Sequence, residues 1–154
     1  MDAQQVSEGF DLANPGDAVA MTELARRAYA HYIPVINAVP VPMTADYAAH
    51  IWRDDVWVLR SGTSLAASLV LIRHPDHLLI ESIAVDPEEQ GKGRGRQLLD
   101  WARRRAADFG LSEIRLYTNV LMTENRAWYQ RAGFAETHEE QRGDKRIVHM
   151  RLTL

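Results

Sequence analysis

The stretch HLLIESIAVDPEEQGKGRGRQLLDWARRRAADFG, residues 77–110, constrains this chain more than any other. Its first part, Leu78 to Val85, is apolar and β-branched and reads as a largely buried strand. Asp86-Pro87 stops it, because proline cannot donate to a ladder and favours a turn. Gln90-Gly91-Lys92-Gly93-Arg94-Gly95 follows, three glycines interleaved with cations. A helix then begins. Leu98, Leu99, Ala102, Ala106 and Phe109 recur at three- and four-residue spacing, and Gly110 stands where a helix C-terminus is commonly closed.

The physical reading of this turn is an anion cradle. Glycines let successive backbone N–H groups face one point without a Cβ in the way. The first helical turn adds unpaired donors and the positive end of its dipole. Lys92, Arg94 and Arg96 add formal charge, so a phosphate or pyrophosphate is the expected guest. The bland alternative is a glycine-rich turn with a solvated basic face, but three glycines in five residues are a poor way merely to turn. Two nucleotide patterns fail. G-x-x-x-x-G-K-[ST] does not occur, and G-x-G-x-x-G starts at Gly91 and Gly93 but meets Arg96 where its third glycine belongs.

Gln90, Gly93 and Gly95 do fit Q/R-x-x-G-x-G/A, placed just after a strand ending in I-A-V-D-P. A second block, Asn125-Arg126-Ala127-Trp128-Tyr129-Gln130-Arg131-Ala132-Gly133-Phe134, reads N-x-A-x-Y-x-x-x-G-F about a strand further on. On these two motifs the chain resembles the GNAT superfamily of acyl-CoA-dependent N-acetyltransferases. The resemblance runs from about Phe10 to Leu154 and is strong from Leu78 to Phe134.

Composition bounds the rest. With 154 residues, 46% of them apolar and 25% charged, the chain reads as one globular domain large enough for a real core. A net charge of −3 argues against nonspecific nucleic-acid binding. The absence of cysteine removes disulfides, thiolate nucleophiles and thiolate metal sites. MDAQQVSEGF lacks the charged and apolar regions of a signal peptide, and no apolar run approaches a membrane span, so a cytoplasmic protein is expected.

In chain order, residues 1–9 read as a frayed polar tail ahead of a domain over 10–154. Phe10 to Ala13 reads as a short strand, and Asn14-Pro15 as the start of an amphipathic helix reaching about Ala30. Pro34, Pro40 and Pro42 rule out a continuous helix over His31 to Thr44, an apolar segment that is either a lid over substrate or a packed connector. Asp46 to Trp52 resumes as a short helix. Val56 to Arg60 and Leu65 to Arg73 read as a hairpin, and Glu113 to Asn119 as a strand alternating Ile114, Leu116 and Thr118 against Arg115 and Tyr117. Strand, helix, strand then makes a crossover with parallel partners. A short helix from Thr123 to Gly133 and a closing hairpin, Phe134 to Arg142 and Lys145 to Leu154, complete an α/β sandwich: a mixed sheet of six or seven strands with about four helices.

The resemblance implies how such a chain would work. Acetyl-CoA is the implied cofactor, its pyrophosphate held by backbone amides over Gln90, Gly91, Lys92, Gly93, Arg94, Gly95 and Arg96. The strand edge at Ile83, Ala84 and Val85 would pair with the pantetheine arm, and an N–H near Val85 would face the oxyanion. Tyr129 is the candidate general acid toward the leaving thiolate, or else packs on the cofactor. Asn125 is read as the helix N-cap and a cofactor contact. Glu81 interrupts an otherwise apolar strand, so the sheet must be open or wet there. It is either a general base or amine anchor, or a glutamate on the solvent side or paired to an arginine. Tyr29, Tyr32, Asp46, Tyr47 and Asn119 are candidates for touching substrate.

The other polar residues carry less. No H-E-x-x-H occurs, and His138, Glu139 and Glu140 diverge on a strand, so no metal is expected; His74 and His77 read as surface residues. Arg103-Arg104-Arg105 reads as a solvated helix face or a contact to the CoA 3′-phosphate, and Trp52, Trp57, Trp101 and Trp128 as packing residues. The expectation is an N-acetyltransferase acting by direct attack in a ternary complex. Its acceptor would be a small-molecule or peptide or protein amine, without nucleic-acid or membrane partners, in a monomer or homodimer. The alternative from another class is a non-catalytic acyl-CoA-binding or sensing domain.

Overall fold

The computed structural model describes residues 9–154, so the tail read over residues 1–9 lies, up to Glu8, outside the described residues. Seven strands form one sheet: β1 (Phe10–Leu12), β2 (Asp55–Ser61), β3 (Ser64–Arg73), β4 (Leu78–Val85), β5 (Glu113–Asn119), β6 (Ala135–Arg142) and β7 (Lys145–Thr153). Their spatial order is β1-β2-β3-β4-β5-β7-β6. Every neighbouring pair is antiparallel except β4 and β5. Four helices, α1 (Ala18–Tyr29), α2 (Tyr47–Arg53), α3 (Arg94–Asp108) and α4 (Thr123–Arg131), cover the two faces.

The sheet separates two cores. On one face Leu69, Leu71, Leu78 and Leu116 pack against Leu98, Ala102 and Ala106 of α3 and Tyr129 of α4. On the other, Val56, Val58, Val70 and Ala84 pack against Met21, Leu24 and Ala25 of α1 and Tyr47 of α2. The strand at the centre is thus buried on both sides, which explains its near-continuous apolar sequence.

Two irregularities in β4 position the site. Its parallel pairing with β5 is confined to Leu78↔Ile114 and Leu79↔Arg115, after which the strands diverge. On its other side, Leu71 pairs with Ile80 and Val70 with Ser82, which leaves Glu81 as the extra residue of a bulge. A bulge bends its strand and redirects a side chain. The polar residue that breaks the apolar run therefore sits where the sheet opens.

Some local readings shift. Pro15–Asp17 forms a 3₁₀ turn closed by a reciprocal Asn14–Asp17 capping box, and α1 proper begins at Ala18. The proline-rich segment breaks into a helical turn at Ile33–Ile36, a left-handed Asn37 (φ +52°) and a 3₁₀ turn at Val41–Met43. Trp52 is 90% exposed at the end of α2, whereas Trp101 is buried against Phe10, ring centroids 5.1 Å apart. Arg105 is not on a solvated face: it forms ion pairs with Asp55 and Asp108 and lies over the Trp57 and Phe109 rings. No helix among the described residues is long and apolar enough to cross a membrane.

Candidate active site

The loop after β4 is shaped before any ligand is considered. Asp86 accepts from the Glu88 N–H at 2.9 Å and pairs with Arg27 of α1 at 3.0 Å, which anchors the turn to the helix above it. Gly91 and Gly93 have φ of +83° and +79°, and an added Cβ at either would meet nothing within 4 Å. These two glycines are required by backbone conformation rather than by space. Gly93 is the N-cap of α3 and offers no side chain, and the first ladder bond runs from Gln97 N–H to Gly93 O at 3.0 Å. The N–H groups of Arg94, Gly95 and Arg96 therefore have no helical carbonyl to reach. They front a cleft of about 1080 Å³ bounded by the β4 edge, α1 and α4.

Gly95 does different work. A Cβ there would stand 2.6 Å from Cζ2 of Trp128, so this glycine lets α3 approach α4. Lys92 also departs from its expected place. It does not line the cleft; its ammonium lies 3.1 Å from Glu89, which also sits 3.6 Å from Arg94. Hydrogen bonding from Lys92 and Ser61 holds the Glu89 carboxyl below its ordinary range. An acid inside the cradle claims Lys92 first, whereas Arg96 and Arg131 line the cleft without an ion-pair partner among the described residues.

A second, smaller pocket of about 100 Å³ opens where β4 and β5 diverge. It shares Tyr29, Ile83, Asn125 and Tyr129 with the cleft, so the two cavities meet at those four residues. Tyr29 donates to Ile83 O at 2.6 Å and so occupies one acceptor on the open strand edge. The N–H of Asp86 bonds to Ala66 of β3, and backbone alternation turns the Val85 N–H to the opposite edge, which β5 leaves free. Ile83, Ala84 and Val85 all line the cleft.

Glu81 and Asn119 line the small pocket; Tyr32 lines the cleft. Tyr47 lines neither. Its hydroxyl donates to Pro42 O at 2.6 Å and meets Ser82 Oγ at 3.2 Å, pinning the proline turn to β4, and Asp46 caps α2 through Ala49 N–H. Asn125 is not the cap of α4: Met122 holds that position, and Asn125 sits in the first turn, 3.8 Å from Met122 Sδ. An asparagine displaced from the cap is free to face the cavities. Sequence reasoning missed Arg131, Trp128, Tyr117 and Lys145 as lining residues. Arg131 and Trp128 were legible, being on the same helical motif as Tyr129. Tyr117 and Lys145 reach the pocket through strand register, which the sequence does not carry.

Burial sets the ionisation of the two central groups. Tyr129 is raised well above the usual phenol value by desolvation, reinforced by Tyr29 and Tyr32, so its hydroxyl keeps its proton throughout the neutral range. Burial likewise raises Glu81, opposed by the charge of His50 and a long 3.5 Å contact from Tyr117 OH. The pocket thus pairs a protonated phenol with a carboxylate of increased basicity. Among the described residues no group of three or more His, Asp or Glu could hold a metal ion.

A seven-stranded sheet opened beside a glycine-shaped loop is an arrangement shared with solved N-acetyltransferases. The structure resembles ribosomal-protein-S18-alanine N-acetyltransferase from Escherichia coli, with TM-score 0.75 and 22% identity, covering 94% of this chain and 92% of that one. It also resembles the PaiA N-acetyltransferase of Thermoplasma acidophilum in complex with coenzyme A, with TM-score 0.80 and 16% identity over 94% and 98% of the two chains. A mycothiol acetyltransferase of Catenulispora acidiphila is 32% identical over 131 residues, 78% of this chain; the chain spans 41% of that protein's length. The acetyltransferase (GNAT) family model matches residues 19–134, and the chain belongs to this family.

Proposed function

We propose that this protein is an acetyl-CoA-dependent N-acetyltransferase acting on a primary amine by direct attack in a ternary complex. The observation that carries this reading is the junction of the two cavities: a phosphate-suited cleft and a small pocket holding Glu81 meet at Tyr129. The left-handed glycines, the three unpartnered amides, Arg96 and Arg131 suit the phosphates of CoA. Acetyl-CoA supplies the acetyl group as a thioester when bound. The free edge at Ile83–Val85 orients the arm, and the Val85 N–H is the donor available to a developing oxyanion. Glu81 takes the proton of the acceptor amine, directly or through water, and Tyr129 holds a proton for the departing sulfur. With no cysteine in the chain, a cysteine acyl-enzyme is not available. An acetyl acceptor near Glu81 rather than a bare binding site is favoured by the small pocket itself, which a sensing domain would not need.

The test is thiol release from acetyl-CoA against a panel of primary amines between about pH 5 and 9, with wild type and Glu81→Gln. The expected result is amine-dependent release that falls on acidification through an ionisation above the ordinary carboxylate range, because protonation removes the base. Tyr129, raised well above the phenol value, adds no alkaline limb within this range. Glu81→Gln should lower the rate and flatten the acid limb. Release that ignores the amine, or no release from any amine, would overturn the reading.

A further inference from the structure

The small pocket has an unusual division of polar groups. Most are already engaged: Ser82 Oγ meets Tyr47 OH, Thr118 Oγ1 donates to Met122 Sδ, and Asn119 Oδ1 accepts from Leu121 N–H. Apart from Tyr129 and Asn125, which stand at the junction with the cleft, what stays available among the described residues is the Glu81 carboxylate at the bulge, with Tyr117 OH at 3.5 Å, and two donors, Lys145 Nζ and Asn119 Nδ2. Lys145 stands out from its neighbours. Arg142, its partner across the hairpin, pairs with Glu140 and lies 4.7 Å from the Tyr117 ring centroid, and Arg146 pairs with Glu139. Lys145 has no acid partner among the described residues and lines the pocket.

Register places the two charges at opposite ends. Tyr117, beside Glu81, pairs with His149, and Asn119 pairs with Ile147, so Lys145 is the next residue outward on the same face. Four residues of strand separate His149 from Lys145, about 13 Å along β7, part of which a lysine side chain recovers by reaching back. The pocket's apolar lining includes Val41, Met122 and Ile147. Resting on the acetyltransferase reading above, we infer that the acceptor is a compact amino-carboxylate, its amine at Glu81, its carboxylate at Lys145 and Asn119, and an aliphatic spacer between. Lys145 then selects the acceptor: an acid binds with a charge-assisted pair, while its neutral amide leaves the ammonium without a counter-charge.

The experiment compares 4-aminobutyrate, 5-aminopentanoate and 6-aminohexanoate with their primary carboxamides, by thiol release from acetyl-CoA. Wild type should prefer at least one acid over its amide by about tenfold or more in kcat/KM. Lys145→Met should reduce that ratio to near unity without changing the acetyl-CoA-induced rise in melting temperature, and Lys145→Arg should retain it. Amides that match the acids, or a preference that survives Lys145→Met, overturn this inference and leave the acetyltransferase reading standing. Binding of acetyl-CoA with no acid acetylated overturns the inference as well. No amine-dependent release from any of the six compounds, together with no acetyl-CoA binding, overturns the reading beneath it.

Discussion

Tyr129→Phe is expected to lower single-turnover acetyl transfer by about 100-fold or more, with acetyl-CoA affinity nearly unchanged. Tyr129 is 4% exposed and faces both cavities, while its ring packs edge-on against Phe134 with centroids 5.6 Å apart. Phenylalanine preserves that packing and removes only the hydroxyl. A proton donor must be protonated at working pH, and burial ensures this here. The comparison of single-turnover rate with affinity separates proton donation from packing: a packing role predicts loss of affinity or of melting temperature instead. An unchanged single-turnover rate would remove Tyr129 as the acid.

Gly95→Ala is expected to damage both stability and cofactor binding, although alanine is the better helix former. The new methyl would lie 2.6 Å from Trp128, so either the indole or α4 must move. Overpacking of this kind typically costs about 1–3 kcal/mol, which for a chain of this size lowers the melting temperature by roughly 2–10 °C. Trp128 neighbours Tyr129, ring centroids 4.9 Å apart, and Asn125 lies one turn earlier on the same helix. A displacement of α4 therefore reaches the junction of the cavities. Pairing Gly95→Ala with Trp128→Leu should cost less than the sum of the two single changes, by about 1 kcal/mol or more. Strict additivity would show that the close approach is not what requires glycine here.

The fold was legible because its strongest segments carry local signals. The apolar run at Leu78–Val85, the stop at Asp86-Pro87 and the 3.6-residue spacing through Ala106 each specify an element without help from tertiary structure. The turn at Gly91 and Gly93 was legible for the same reason, since a left-handed backbone there restricts the residue type. Gly95 was legible as a glycine but not as a packing glycine, because Trp128 comes close only across two helices. Tyr47 looked like a substrate contact from its place near the proline segment; its hydroxyl is instead consumed by Pro42 and Ser82. Glu81 announced itself as a charge in an apolar strand, but the bulge that aims it depends on β3 register. Lys145 gave no local sign at all. Its place in the pocket follows from a hairpin and two strand registers, which are long-range facts.

The measurement that tests the central claim most directly is the melting temperature of the purified protein with acetyl-CoA, CoA, NADH or ATP. A ligand at about 100 times its dissociation constant stabilises the folded state by about 2.7 kcal/mol, a rise of several degrees at this chain length. The amide cradle and the free β4 edge predict that acetyl-CoA and CoA raise the melting temperature and that NADH and ATP leave it in place. A rise with NADH or ATP alone, or none with acetyl-CoA at saturating concentration, would contradict the account.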